Sequence, residues 1–152
     1  MANAQIPQPD PDTTAKHFLT VASISNLYEV STGQLAVQKA KRADVKSFGQ
    51  MMVKDHGMAE QELVALAKRR RIELPAAATA EVQPDPMLKN AGDNFDKLYV
   101  HAMVAGHNNT VQTFENYATT GKDPDVKAFA QKMLPNLKMH LEHIKEIEKQ
   151  LK

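Results

Sequence analysis

Four ionisable side chains stand where helical periodicity calls for apolar ones. Glu29 interrupts a stripe of small and apolar residues at Phe18, Ala22, Ser25, Thr32, Ala36 and Ala40. His56 falls among Val45, Phe48, Met52, Ala59, Leu63 and Leu66. His107 lies in the run Tyr99, Met103, Val111, Phe114 and Ala118, a face that begins at Asp96. His140 takes a slot in the strict series Val126, Ala130, Met133, Leu137, Ile144, Ile147 and Leu151. Steps of three and four mark each series as one helix face. Three imidazoles and one carboxylate form a donor set for a divalent transition metal. Zinc and copper suit it best, with iron also compatible, and the carboxylate supplies charge compensation.

The heights of these residues agree. Glu29 and His56 stand about 13.5 residues on either side of a turn near residue 42.5, so antiparallel helices hold them at one level. His107 and His140 stand about 16.5 residues on either side of a second turn near 123.5. If the two turns lie at opposite ends of a bundle, all four levels coincide for helices of about 30 residues, roughly 45 Å long. If they lie at the same end, the levels differ by about 4.5 Å. Both arrangements bring the four residues into one region.

Other residues are weaker candidates. Asp96 shares a face with His107 and serves either as a ligand or as an anchor for the helix start. Asp55 and Glu60 flank His56, and Glu60, one turn on, can accept a hydrogen bond in support of a ligand. His143 follows His140 by one turn and is either an extra ligand or a solvated residue. His17 and His101 read as surface residues. Met52, Met103, Met133 and Met139 keep helical spacing and read as core filler before copper ligands. The competing account of the inner residues is a metal-free network of Glu–His hydrogen bonds. Affinity for a metal held by neutral imidazoles is expected to fall as pH drops through about 6.5.

The elements that must position these residues are helices. Thr13–Lys41 contains no proline, and Asp12 or Thr13 suits its N-cap. A second helix runs from about Asp44 to Arg71, ending in the basic turn KRRR. Pro75, Pro84 and Pro86 keep the stretch after it from being a long helix, and the connection expected within 73–90 is long enough to cross a bundle. A third helix begins near Met87 or Ala91 and runs to Thr120, with Gly121 as its C-cap. Asp123 and Pro124 then supply an N-cap and a first residue for a fourth helix over about 124–151, which Pro135 should kink or loosen by one turn. The segment DVKSFGQMM at 44–52 matches DVKAFAQKM at 125–133. Two similar helical hairpins joined by a long connection predict an all-α, ferritin-like antiparallel four-helix bundle. Residues 1–12, with three prolines and no periodicity, read as a disordered, dispensable tail, and 13–152 as one domain.

Composition narrows the function. The chain has 152 residues, with 19 Lys and Arg against 18 Asp and Glu, and the net charge of +1 lacks the basic excess of a nucleic-acid binder. With no cysteine there is no thiolate zinc site, iron–sulfur cluster or Cys nucleophile. No GxSxG, Walker loop or GxGxxG occurs, and no Glu-x-x-His lies on an inner stripe, which disfavours di-iron oxygen chemistry. No apolar run is long enough to span a membrane. The small residues at the start of the chain fit the remnant of a trimmed export signal, although no signal segment is visible.

The segments E29-VSTGQLAVQKA-K41, V45-KSFGQMMVKDH56-GMAEQEL63, F95-DKLYVHAMVAGH107 and V126-KAFAQKMLPNLKMH140-L141 resemble the bacterial "domain of unknown function 4142" family of predicted exported or outer-membrane proteins. The resemblance covers roughly residues 14–150. It implies a ferritin-like bundle delivered to the periplasm, with His56, His107 and His140 as shared histidines and Glu29 and Asp96 as shared acids. The expected function is binding of a divalent metal in the cell envelope, for sequestration, sensing or stress. The alternatives are a metal-free structural or partner-binding envelope protein and a metal-dependent oxidoreductase. A protein partner or a homo-oligomer stays open at this point.

Overall fold

A computed structural model of the chain describes residues 11–75 and 82–151. Its elements are α1 (Pro11–Lys39), α2 (Ala43–Arg69), a single turn α3 (Pro86–Lys89), α4 (Phe95–Thr120) and α5 (Pro124–Gln150), with a 3-10 turn over Gly92–Asn94. No strand occurs among the described residues. The tail expected over residues 1–12 lies outside the described residues as far as residue 10, and Pro11 and Asp12 already belong to α1. Proline is tolerated at this position because the first turn of a helix has no use for its missing N–H.

The bundle is two hairpins, α1 with α2 and α4 with α5. Gly33 and Gly49 let the first pair approach closely. A Cβ on Gly33 would lie 2.8 Å from the Gly49 carbonyl oxygen, and one on Gly49 would lie 2.6 Å from the Ala36 Cβ. Fully buried Phe48, Met52, Leu63, Tyr99, Met103 and Ile144 fill the space between the hairpins. Each of these except Tyr99, whose buried hydroxyl has no partner, contributes about 1.5–3 kcal/mol by leaving water.

Polar contacts at the ends fix the topology. Asp96, at the start of α4, accepts the backbone N–H groups of Lys41 and Arg42 at 3.0 and 2.8 Å. The α1–α2 turn and the start of α4 therefore share one end. At the other end Arg70, just past α2, donates to Asp123 in the α4–α5 turn at 2.9 and 2.6 Å. The two turns lie at opposite ends, and the connection between α2 and α4 travels the length of the bundle. The order is up, down, down, up, with every neighbouring pair antiparallel. Tyr28 donates to Asp85 at 3.0 Å and ties the crossing segment to α1.

Three local expectations are corrected. The third helix does not start at Met87 or Ala91: α3 forms one turn there, capped by Asp85, and Gly92 at φ 58 breaks the path before Phe95. That turn also interrupts the stretch expected to be nonhelical. Gly121 caps α4 without the left-handed geometry usual for a terminal glycine, having φ −60. A glycine is needed there because a Cβ would meet Tyr117 at 2.5 Å. Asp123 behaves as expected and accepts the N–H groups of Asp125 and Val126. α5 runs through Pro135 as one helix.

Asp123 combines an N-cap with a partly buried ion pair to Arg70. Asp123→Ala should lower unfolding free energy by about 2–3 kcal/mol in urea denaturation. Asp93→Ala, which removes the exposed Lys41 pair, should leave the midpoint unchanged.

Candidate metal centre

His56 on α2, His107 on α4 and His140 on α5 meet at mid-height in the bundle. All three are buried, and one ring nitrogen of each lies within 4.8 Å of the others. The ring centroids form a nearly equilateral triangle, with sides of 5.7, 5.4 and 5.5 Å. The Phe48 ring stands edge-on to His107 and His140 at 6.1 and 6.4 Å and closes one side of the cluster.

Each ring uses one nitrogen on a protein partner. His107 Nδ1 donates to the Met103 carbonyl at 2.9 Å. His56 Nδ1 donates to Asn26 Oδ1 at 2.9 Å, and Asn26 Nδ2 in turn donates to Glu60 at 3.2 Å. Ser23 donates to the other oxygen of Glu60 at 2.5 Å. His140 Nε2 donates to Asp55 Oδ2 at 2.8 Å, and Asn136 donates to the same oxygen at 3.3 Å. The remaining nitrogens, His56 Nε2, His107 Nε2 and His140 Nδ1, are buried and have no hydrogen-bond partner. A carbonyl or carboxylate that holds the proton on one side of an imidazole leaves a lone pair on the other, which is how metal-binding histidines are oriented.

Burial keeps these lone pairs available. It lowers the His56 imidazole to about 3, with the neighbouring His107 and His140 adding to the effect. It lowers His107 to about 4, against the opposing bond to Met103. It also lowers His140, which Asp55 partly counteracts. All three rings are neutral at pH 7. A small void of about 30 Å3, enough for one water-sized ligand, is lined by His56, His140, Asp55, Asn136 and Met133.

The remaining candidates separate. Glu29 is buried at the same level but stands beside the three-histidine cluster: its Oε1 is 3.9 Å from His107 Nδ1, the nitrogen already bonded to Met103. Burial raises its carboxyl to about 8. Asp55 and Glu60 support His140 and His56, directly and through Asn26. Asp96 is the anchor at the bundle end. His143 is exposed and touches the outer side of Phe48, and His17 and His101 are exposed. Of the methionines, Met52 and Met103 are core, Met139 is exposed and Met133 lines the void. Asn26 and the Met103 carbonyl were not foreseen. Asn26 lies one turn before Glu29 on the same face, a detectable position, whereas a backbone carbonyl leaves no trace in sequence.

The up-down-down-up order and the imidazole triangle at mid-height define an all-α four-helix bundle protein with donors for one metal ion. The chain belongs to the family described as Domain of unknown function (DUF4142), which matches residues 1–147. Its structure is similar to that of CopM in the Cu(I)-bound form, with a TM-score of 0.75 and 14% identity over 90% of this chain and 96% of that one. CopM is also known in Ag-bound and Cu(II)-bound forms. A conserved hypothetical protein from Mycobacterium tuberculosis, rv2844, is similar with a TM-score of 0.73 and 13% identity over 93% of this chain and 95% of that one. A DUF305 fragment from Deinococcus radiodurans is similar with a TM-score of 0.71 and 11% identity, over 95% of this chain and all of the fragment. At these identities the likeness is one of fold. No curated protein matches the sequence.

The shifted groups make the metal-free protein's stability depend on pH in two opposite ways. The histidines titrate lower in the folded chain than their ordinary 6.5, so the unfolded chain binds more protons and stability falls as pH drops below 6.5. Glu29 titrates higher than its ordinary 4.5, so its contribution is complete below 4.5 and is lost as pH rises toward 8. Three histidines outweigh one carboxyl in the overlap, and stability should peak near pH 6.5. Urea denaturation from pH 5 to 8.5 checks this: Glu29→Gln should abolish the decline between about 6.5 and 8 and keep the acid-side decline.

Proposed function

We propose that this protein binds one transition-metal ion through His56 Nε2, His107 Nε2 and His140 Nδ1. The observation that carries the reading is that these three nitrogens, each opposite a fixed hydrogen bond, are the ones left without partners. A metal–nitrogen distance of about 2.0–2.1 Å places three ligands roughly 3.5 Å apart, so each ring needs to move by less than about 1 Å. The rings make no hydrogen bonds to one another or to Glu29, which tells against the metal-free network. Copper is the favoured ion. Three imidazoles suit it, Met133 brings a soft thioether to the void, and the bundle shares its fold with a protein known in copper-bound and silver-bound forms. Zinc completed by a water is the second choice. The void has room for little beyond a water-sized ligand, which favours binding or sequestration over turnover of a substrate. Residence in the periplasm is part of this proposal and rests on the family resemblance.

Because burial holds His56 and His107 well below 6.5, proton competition for the metal at these two ligands sets in closer to pH 4 than to the 6.5 expected from free imidazole. Calorimetric titration of copper and zinc into protein purified without a His tag tests the site. His56→Ala, His107→Ala and His140→Ala should each weaken binding tenfold or more, and Asp55→Asn about tenfold through His140. His17→Ala and His101→Ala should bind like wild type. Equal binding by wild type and His107→Ala would place the ligands elsewhere.

A further inference from the structure

Among the described residues, Glu29 is the buried acid that neither the fold nor the histidine cluster uses. It is 3% exposed, and its Oε2 is fully buried without a partner. Leaving a buried carboxyl unbonded costs about 1–3 kcal/mol or more. Glu29 also borders a cleft of about 140 Å3 between α1 and α4, separate from the void beside His140. The polar atoms around that cleft are oxygen donors from both helices. Ser25 lies one turn before Glu29, Thr110 lies one turn after Gly106, and the two hydroxyls are 3.3 Å apart. Asn109 and Thr113 add an amide and a hydroxyl. Gly106 keeps the carboxylate open to the cleft, since a Cβ there would lie 3.6 Å from Glu29 Oε1.

We infer that this cleft is a second cation site, with Glu29 as its charged ligand and Ser25 and Thr110 as neutral ones. A carboxylate with hydroxyl and amide oxygens selects a hard divalent cation of the magnesium, calcium and manganese class, not the ion that imidazoles prefer. The cleft holds on the order of four waters at about 30 Å3 each, so the cation keeps part of its hydration shell. One carboxylate gives a weak site, with a dissociation constant of about 0.1–1 mM. His107 stands between the two centres, with Nδ1 toward Glu29 and Nε2 left for the histidine site. The inference is independent of the proposed function, because no histidine is a ligand in it.

Terbium(III), a luminescent probe for oxygen-donor sites, tests it on the full chain. Tyr28 and Tyr99 lie close enough for the Glu29 charge to help raise both phenols, so excitation of tyrosine should sensitise a bound ion. We expect saturable emission that manganese(II) displaces. Glu29→Gln should weaken terbium binding tenfold or more and leave copper binding intact. Gly106→Ala, which sets a methyl group before the carboxylate and favours the helix, should weaken terbium binding in a chain of unchanged or higher melting temperature. His56→Ala should lose copper and keep terbium. Emission that survives both Glu29→Gln and Gly106→Ala, or no saturable emission from folded wild type, overturns the inference. Loss of copper and terbium together in folded Glu29→Gln also overturns it, by making Glu29 part of the histidine site.

Discussion

Three imidazole nitrogens are held without hydrogen-bond partners in the middle of the bundle, and the rest of the structure is arranged around that constraint. An unsatisfied buried polar atom costs about 1–3 kcal/mol. Three of them, with the Glu29 carboxyl beside them, take a large share of the roughly 5–15 kcal/mol by which a domain of this kind is stable. Compensation comes from both sides of the cluster. Phe48, Met52, Tyr99 and Met103 pack fully buried next to it. Asp96 and Asp123 close the two bundle ends with bonds to backbone N–H groups and to Arg70. The partnered nitrogens matter equally. Without Met103, Asn26 and Asp55 the rings could turn, and the lone pairs would no longer converge.

The crossing connection is what brings the histidines to a single level. Its path puts the two hairpin turns at opposite ends, so residues at quite different distances from their turns arrive at one level. Had both turns shared an end, His107 and His140 would stand about 4.5 Å away in height from His56. The close approach of α1 and α2 at Gly33 and Gly49 brings Asn26 of α1 within reach of both His56 and Glu60 on α2. Local packing, topology and the orientation of one imidazole are thus links in one chain of dependence.

The four helices, both turns and the approximate level of the site are legible in the sequence, because those depend on periodicity and counting; the crossing is not, because a connection long enough to cross is also long enough to return, and the bonds of Asp96 and Arg70 decide it. It did not separate Glu29 from the histidines. Counting residues gives height along the bundle axis but not which side of a neighbour a side chain reaches, and Glu29 reaches the already bonded side of His107. Helix is expected from Met87, where Asp85 and Pro86 do start one, but its end after a single turn is not legible, because the positive φ of Gly92 that breaks the path leaves no periodic signal. Gly121 was recognised as a cap for the wrong reason. The pressure there is contact with Tyr117, a packing demand that looks the same in sequence as a left-handed turn.

The repeated segments at 44–52 and 125–133 show how the site departs from its own symmetry. Continued by the same offset, the repeat pairs Asp55 with Asn136, and these two residues are hydrogen-bonded to each other across the bundle. It pairs His56 with Leu137 and Ala59 with His140, and all four line the same small void. Each hairpin therefore has two equivalent inward positions and fills one with histidine and one with an apolar residue, choosing opposite positions. A symmetric choice would have set the two imidazoles at matching heights about an axis through Asp55 and Asn136, each competing for the same acid. The staggered choice leaves Asp55 to hold His140 alone and frees His56 to take Asn26. Two rings on related helices thereby leave different nitrogens, Nε2 and Nδ1, without partners, and the third ring, from α4, completes the triangle.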